Sequence, residues 1–303
     1  MSISLKFNLF LWENINDYIN ILNEIENENE TGNRYSFNNV KETLSYPSFD
    51  EKKNLFIISD NYLKKIGILS ISEEKQIGRA IADIKILKQY KNQVIQSKII
   101  MKALELVRNL PIKVLHIAVN QNDKLIQFSL KETAFTKIKT YLNMELNKLF
   151  DNNAKLPEGF HFSEFILNSN EKHLTLLQNK IFKNSWGFCP NTIEEVSYKI
   201  NMHNTNPKGI IIITNNYEYV GYNWTTLENN FGKISMTGVH PEFRSIGLGK
   251  MLVIQGVLYL LNKKYNTVKL EVDSLNSKAI QLYNKIGFEK KSEIWWYENR
   301  LGN

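Results

Sequence analysis

The chain has 303 residues, 43% of them hydrophobic and 23% charged, with a formal net charge of +7. At about 150 residues per domain this length points to two globular domains, each with an ordinary core. The single cysteine, Cys189, excludes an intrachain disulfide, and the longest aliphatic run, 210–213, is too short to span a bilayer.

Positive charge suits an acidic ligand. No run of five basic residues, zinc finger or RNA-recognition signature accompanies it, so no nucleic-acid partner is expected. The five histidines form no HxxxH or HExxH pair, and no metal is expected. Cys189 reads as a partly buried structural thiol rather than a nucleophile. The N-terminal apolar stretch is broken by Asn8 and ended by Glu13, too short for a signal peptide. Together these features predict a cytoplasmic protein with no membrane partner, as a monomer or homodimer.

In chain order, 23–33 is polar and acidic and reads as a mobile loop. A helix is expected over 97–108. The turn formers of 151–159 read as a join, which divides the chain into domains 1–150 and 151–303. Beyond the join, a strand is expected over 160–167 and helices over 174–184 and 192–201. Strands 209–214 and 219–226 flank an Asn215-Asn216 turn, and a third strand covers 233–239. A long helix over 249–264, a strand over 267–272, a helix over 277–286 and a strand over 293–297 complete the half. The expected fold is α/β: two tandem domains, each a mixed twisted sheet with helices on both faces.

Two domains are expected because the chain repeats itself. Phe243 corresponds to Tyr90 and Arg244 to Lys91, both at an offset of 153. The register holds through Val272 and Val119, and through Gly287-Phe288 and Ala134-Phe135. Upstream, Gly221 and Gly67 pair at 154, which places a one-residue slip in a turn.

The segment 239–250 reads VHPEFRSIGLGK and joins a strand to a helix. Within it, Arg244-Ser245-Ile246-Gly247-Leu248-Gly249-Lys250 supplies backbone N–H groups at a helix N-terminus. Such groups lack intrahelical partners and sit at the positive end of the helix dipole, so they bind anions. Glycines 247 and 249 allow close approach of a pyrophosphate. Downstream, Asn276 occupies a helix cap position. Tyr283 lies two turns further along the same face, and Gly287 ends the helix.

These two segments resemble the GNAT acetyltransferases. Arg244 to Gly249 matches that family's acyl-CoA loop, Q/R-x-x-G-x-G/A. Asn276, Ala279, Tyr283, Gly287 and Phe288 match its Asn-x-x-A-x-x-x-Y-x-x-x-G-F motif. The tandem arrangement is similar to that of the mycothiol synthases, a two-domain group. The resemblance implies an N-acetyltransferase that uses acetyl-CoA as cosubstrate and a small-molecule or peptide amine as acceptor. It implies that Val239 hydrogen-bonds the acetyl and pantetheine groups where two central strands splay at a bulge, its N–H serving as oxyanion donor. The N–H groups from Arg244 to Lys250 would hold the pyrophosphate, with Asn276 on the pantetheine arm. Tyr283 would protonate the departing thiolate.

The first half departs from the pattern. Val94 and Gln96 replace Gly247 and Gly249, Asp123 replaces Asn276, and Leu130 replaces Tyr283. A degenerate first domain and a catalytic second domain are therefore expected. No general base is evident. Glu271 and Glu228 are the carboxylates to consider, with water relayed by Ser235 or Thr237 as the other route. A non-catalytic acyl-CoA-binding module is the alternative reading, which leaves Tyr283 unexplained.

Overall fold

The computed structural model describes residues 4–29, 34–147 and 155–302. The first half runs β1 (Lys6–Leu9), α1 (Ile15–Glu28), α2 (Phe37–Leu44), α3 (Glu51–Asn54), β2 (Leu55–Ser59), β3 (Lys65–Glu74), β4 (Arg79–Ile86), α4 (Gln93–Val107), β5 (Val114–Asn120), α5 (Lys124–Glu132) and β6 (Thr136–Leu146). The second half runs β7 (Phe160–Glu164), α6 (Glu171–Phe182), α7 (Ile193–Ile200), β8 (Thr205–Asn215), β9 (Glu218–Leu227), β10 (Gly232–Val239), α8 (Leu248–Asn262), β11 (Val268–Asp273), α9 (Ser277–Ile286) and β12 (Glu289–Arg300). Of the expected join, 151–154 lies outside the described residues. No helix among the described residues is long and apolar enough to cross a membrane.

The repeat is visible in the element bounds. Strands β3, β4 and β6 begin at residues 65, 79 and 136, and β9, β10 and β12 at 218, 232 and 289, each 153 later. The slip does not fall in a turn. Strands β3 and β4 pair without interruption from Gly67↔Ile86 to Glu74↔Arg79. Strands β9 and β10 shift register between Ile234 and Met236, so Ser235 bulges out of the ladder. That bulge moves Gly221, opposite Val239, to an offset of 154 from Gly67 while the strand ends keep 153.

The compact units are Met1–Thr140 with Glu293–Asn303, and Tyr141–Ser292. The division expected between residues 150 and 151 is therefore corrected, because each half gives its last strand away. In the first unit the sheet order is β1-β2-β3-β4-β5-β12, with β12 antiparallel to β5 from Ile294↔Asn120 to Arg300↔Val114. In the second it is β7-β8-β9-β10-β11-β6, with β6 antiparallel to β11 from Tyr141↔Asp273 to Leu146↔Val268. Tyr297 of β12 is buried with Leu115 and Ile117, and Met144 and Leu146 of β6 are buried with Val268 and Leu270. The two last strands are equivalents in the repeat, so either carries a side-chain pattern fit to complete either sheet.

Helices cover both faces of each sheet because buried residues alternate along the strands. In the second unit, Ile210, Ile212, Tyr222 and Trp224 pack on Leu174, Leu177 and Ile181 of α6 and on Val196 and Ile200 of α7. Ile213, Val220 and Val239 pack on Leu248, Met251 and Leu252 of α8. In the first unit, 23–28 is the end of α1 rather than a loop, since Ile21, Leu22 and Ile25 anchor that helix in a core with Val40, Leu55 and Ile68. The hairpin turn also differs slightly from expectation. Its central residues are Asn216 and Tyr217, both at positive φ, and Asn215 pairs with Glu218.

Candidate active site

Strands β10 and β11 run parallel and pair at Gly232↔Val268, Lys233↔Lys269 and Ile234↔Leu270. Beyond Ile234 no pairing between them continues, and the bulge at Ser235 marks the point of parting. Toward β9, the N–H of His240 donates to the Val220 oxygen at 2.8 Å. The neighbouring pair, Val239↔Gly221, is then of the non-hydrogen-bonded kind, and the Val239 N–H projects toward the opening between β10 and β11.

A cavity of about 560 Å³ lies at this end of β10. Thr237, Gly238 and Val239 line it from β10, Gly249, Lys250 and Val253 from α8, and Asn276, Lys278, Ala279, Leu282 and Tyr283 from the α9 region. Of the expected residues, Val239, Arg244, Ser245, Gly247, Gly249, Lys250, Asn276, Ala279 and Tyr283 all reach it. Ile246 and Leu248 do not line it: the Ile246 side chain is exposed and Leu248 is buried in the core beneath the loop. Among the described residues, Arg244, Lys250 and Lys278 are its charged ones and no carboxylate lines it, an arrangement matched to a polyanion.

The loop before α8 is built to leave its N–H groups open. Gly247 is the N-cap residue at φ +97°, with no side-chain cap bond, and Ser245 also sits at positive φ (+69°). A non-glycine residue held there costs on the order of 1–2 kcal/mol. Among the described residues, the N–H groups of Ser245, Ile246, Gly247, Leu248 and Gly249 make no backbone hydrogen bond. The ends of the expected donor stretch are occupied, since Arg244 N–H donates to Pro241 O at 3.4 Å and Lys250 N–H to Gly247 O at 3.1 Å. The Arg244 guanidinium is also engaged: Nε donates to Val239 O at 3.0 Å and Nη2 to Ile181 O at 3.1 Å.

Asn276 caps α9, its Oδ1 accepting from Ala279 N–H at 3.2 Å. The spacing 276, 279, 283 then carries the helix face into the cavity. Tyr283 is 8% exposed and packs edge-on to Phe288 with ring centroids 5.9 Å apart. Burial pushes its phenol up to about 12, so the hydroxyl is a neutral donor across the physiological range.

The cavity also takes Ile181, Phe182 and Ser185 from the end of α6 and just beyond, which sequence reasoning did not anticipate. Gly238 was the available signal. A Cβ there would come within 2.6 Å of Ile181 Cγ2, so this glycine admits α6 against β10. The carboxylates considered as bases lie elsewhere. Glu271 pairs with Lys233 at 2.7 Å, and Glu228 accepts from Thr226 at 3.0 Å and Asn204 at 3.3 Å. Ser235 bonds Thr226 at 2.8 Å, away from the cavity, whereas Thr237 lines it.

Residues 174–288 match the model of the acetyltransferase (GNAT) family. The chain is similar to the tandem GNAT acetyltransferases. The mycothiol acetyltransferase of Kytococcus sedentarius is 26% identical over 141 residues, covering 45% of this chain and 48% of that protein. That of Paenarthrobacter aurescens is 34% identical over 89 residues, 27% of this chain and 28% of that protein. The matched stretch thus spans about half the length of these curated relatives, or less. Among solved structures, a GCN5-related N-acetyltransferase from Sphaerobacter thermophilus superposes with a TM-score of 0.75 at 12% identity, covering 99% of this chain and 96% of that one. A tandem GNAT protein from the clavulanic acid biosynthesis pathway gives 0.73 at 14% identity, with 100% and 99% coverage. The GNAT fold therefore extends over both halves, including the one outside the family match.

Proposed function

We propose that the second half transfers an acetyl group from acetyl-CoA to a primary amine by direct attack on the thioester. The observation that carries this reading is the convergence on one cation-lined cavity of Ser245, Gly247 and Gly249, whose N–H groups have no backbone partners, with Val239 and Tyr283. Ser245 to Gly249 would hold the pyrophosphate as a helix N-terminus holds an anion. Asn276, its carbonyl oxygen committed to the cap, offers its amide hydrogens to the pantetheine arm. The Val239 N–H would donate to the carbonyl oxygen as that atom gains charge. The phenol of Tyr283 would donate its proton as the thiolate leaves. Among the described residues no carboxylate lines the cavity, so the proton of the attacking amine would leave through water, with the Thr237 hydroxyl beside its path. The first half would serve as a degenerate partner domain, and the cytoplasm, where the lone thiol stays reduced, as the compartment.

Thiol release from acetyl-CoA in the presence of a panel of amines tests this reading. Amine-dependent release at saturating acetyl-CoA is the expected result. Tight acetyl-CoA binding without release for any amine would instead identify a non-catalytic acyl-CoA-binding module. Tyr283 speaks against that alternative, because holding the cofactor does not require a neutral buried hydroxyl at the cavity wall.

A further inference from the structure

Arg244 opens the anion-loop motif, yet the bonds of its side chain lead elsewhere. Its backbone N–H is taken by Pro241 O, its Nε by Val239 O and its Nη2 by Ile181 O. We infer that Arg244 is a positioning residue. It ties the end of β10 to the C-terminal end of α6 and so holds Ile181, Phe182 and Ser185 as a wall of the cleft. The inference rests on reading that cleft as the acetyl-CoA site.

Three features support the strut. Ile181 lies in the last turn of α6, where carbonyl oxygens lack intrahelical partners and the negative end of the dipole favours a cation. The planar guanidinium fork spans two carbonyls on two elements, which a lysine ammonium on a flexible stem does not reproduce. Gly238, whose Cβ would collide with Ile181, lets the two elements approach closely enough to be bridged. On the opening side, the Val239 carbonyl projects to the same edge as its N–H, so fixing the one steadies the other. The counterpart in the first half, Lys91, pairs with Asp123 at 3.6 Å instead. Arg244 also directly precedes the five open N–H groups, so an anion seated on them steadies the attachment of α6.

Hydrogen exchange on the full-length protein, with and without acetyl-CoA, decides the matter for Arg244→Ala and Arg244→Lys. In the ligand-free Ala variant, amides 182–188 should exchange about tenfold faster, the scale of one lost charge-assisted hydrogen bond. The Lys variant should recover only part of that protection, and added methylguanidinium should restore it in the Ala variant. Acetyl-CoA should slow exchange over 182–188 in the wild type only, while its Kd, measured by calorimetry, shifts by no more than about threefold. Unchanged exchange in both ligand-free variants overturns the strut. A loss of acetyl-CoA affinity near 100-fold with exchange unchanged makes Arg244 a phosphate ligand instead. Failure of the wild type to bind acetyl-CoA would overturn the functional reading, whereas the ligand-free exchange would still decide the strut.

Discussion

The two halves present the same cleft twice, once open and once filled. At the offset of 153, the 560 Å³ cavity has a 190 Å³ counterpart lined by Ile86, Lys91, Gln96, Asp123 and Ile126, the equivalents of Val239, Arg244, Gly249, Asn276 and Ala279. Gln96 is 1% exposed, and its Oε1 accepts from Ser129, so a buried amide occupies the position of Gly249. Leu130, in place of Tyr283, is fully buried in the apolar core. The helix termini differ most in their chemistry. In the first half, Asn92 caps α4 through Oδ1, which accepts from Ile95 N–H at 2.9 Å, and its carbonyl accepts from Gln96 N–H at 3.1 Å. Its equivalent, Ser245, sits at positive φ, and α8 has no side-chain cap. An anion site is a helix terminus whose donors are left for a ligand; capping the terminus from within removes the site and stabilises the helix.

The comparison breaks most visibly at Tyr283. Tyr283→Phe should lower kcat by ~10²–10⁴-fold with little change in the acetyl-CoA Kd, since the proposed acid is removed and the ring is kept. A kcat near wild type would make Tyr283 a core side chain, as Leu130 is. Writing the first half's residues into the second, Gly247→Val with Gly249→Gln, should weaken acetyl-CoA binding by about 100-fold or more. Two side chains would then stand in the proposed pyrophosphate site, and valine would be held at φ +97°. Calorimetry showing unchanged affinity would move the site elsewhere.

A smaller difference should appear in alkali. Burial raises the phenol of Tyr283 from its ordinary value of 10 to about 12, so folding favours the neutral form. Its stabilising share is complete below pH 10 and is lost as the pH rises from 10 toward 12, on the order of 2 kcal/mol. Urea melts of wild type and Tyr283→Phe at successive pH values should diverge over that window, and parallel curves would show the phenol to be more exposed than its packing implies. The smallest expected effect is at the helix caps. Asn92→Ala should destabilise by about 1 kcal/mol, while Ser245→Ala should change stability by less than half of that. Equal losses would erase the distinction between a capped terminus and an open one.

Much of the cleft was legible because its motifs are local. Arg244 to Gly249 and Asn276 to Tyr283 each lie within a few turns of chain, where spacing alone puts residues on one helix face. The α6 residues of the cavity were not legible in this way. They lie some sixty residues from the loop, and only the close approach at Gly238 joins them to it.

By itself, the sequence determined the repeat, the α/β character of each half, the glycine loop that leaves N–H groups open, and the loss of that loop in the first half. These follow from local steric and hydrogen-bonding preferences that act over a few residues. Only the tertiary structure decided that β6 completes the second unit and β12 the first, that the one-residue slip becomes a bulge at Ser235, and that Arg244 is spent on two carbonyls. The physical reason is the same in each case. Strand edges of one pattern accept either equivalent strand, and a long side chain bonds whatever carbonyl the packing brings within reach.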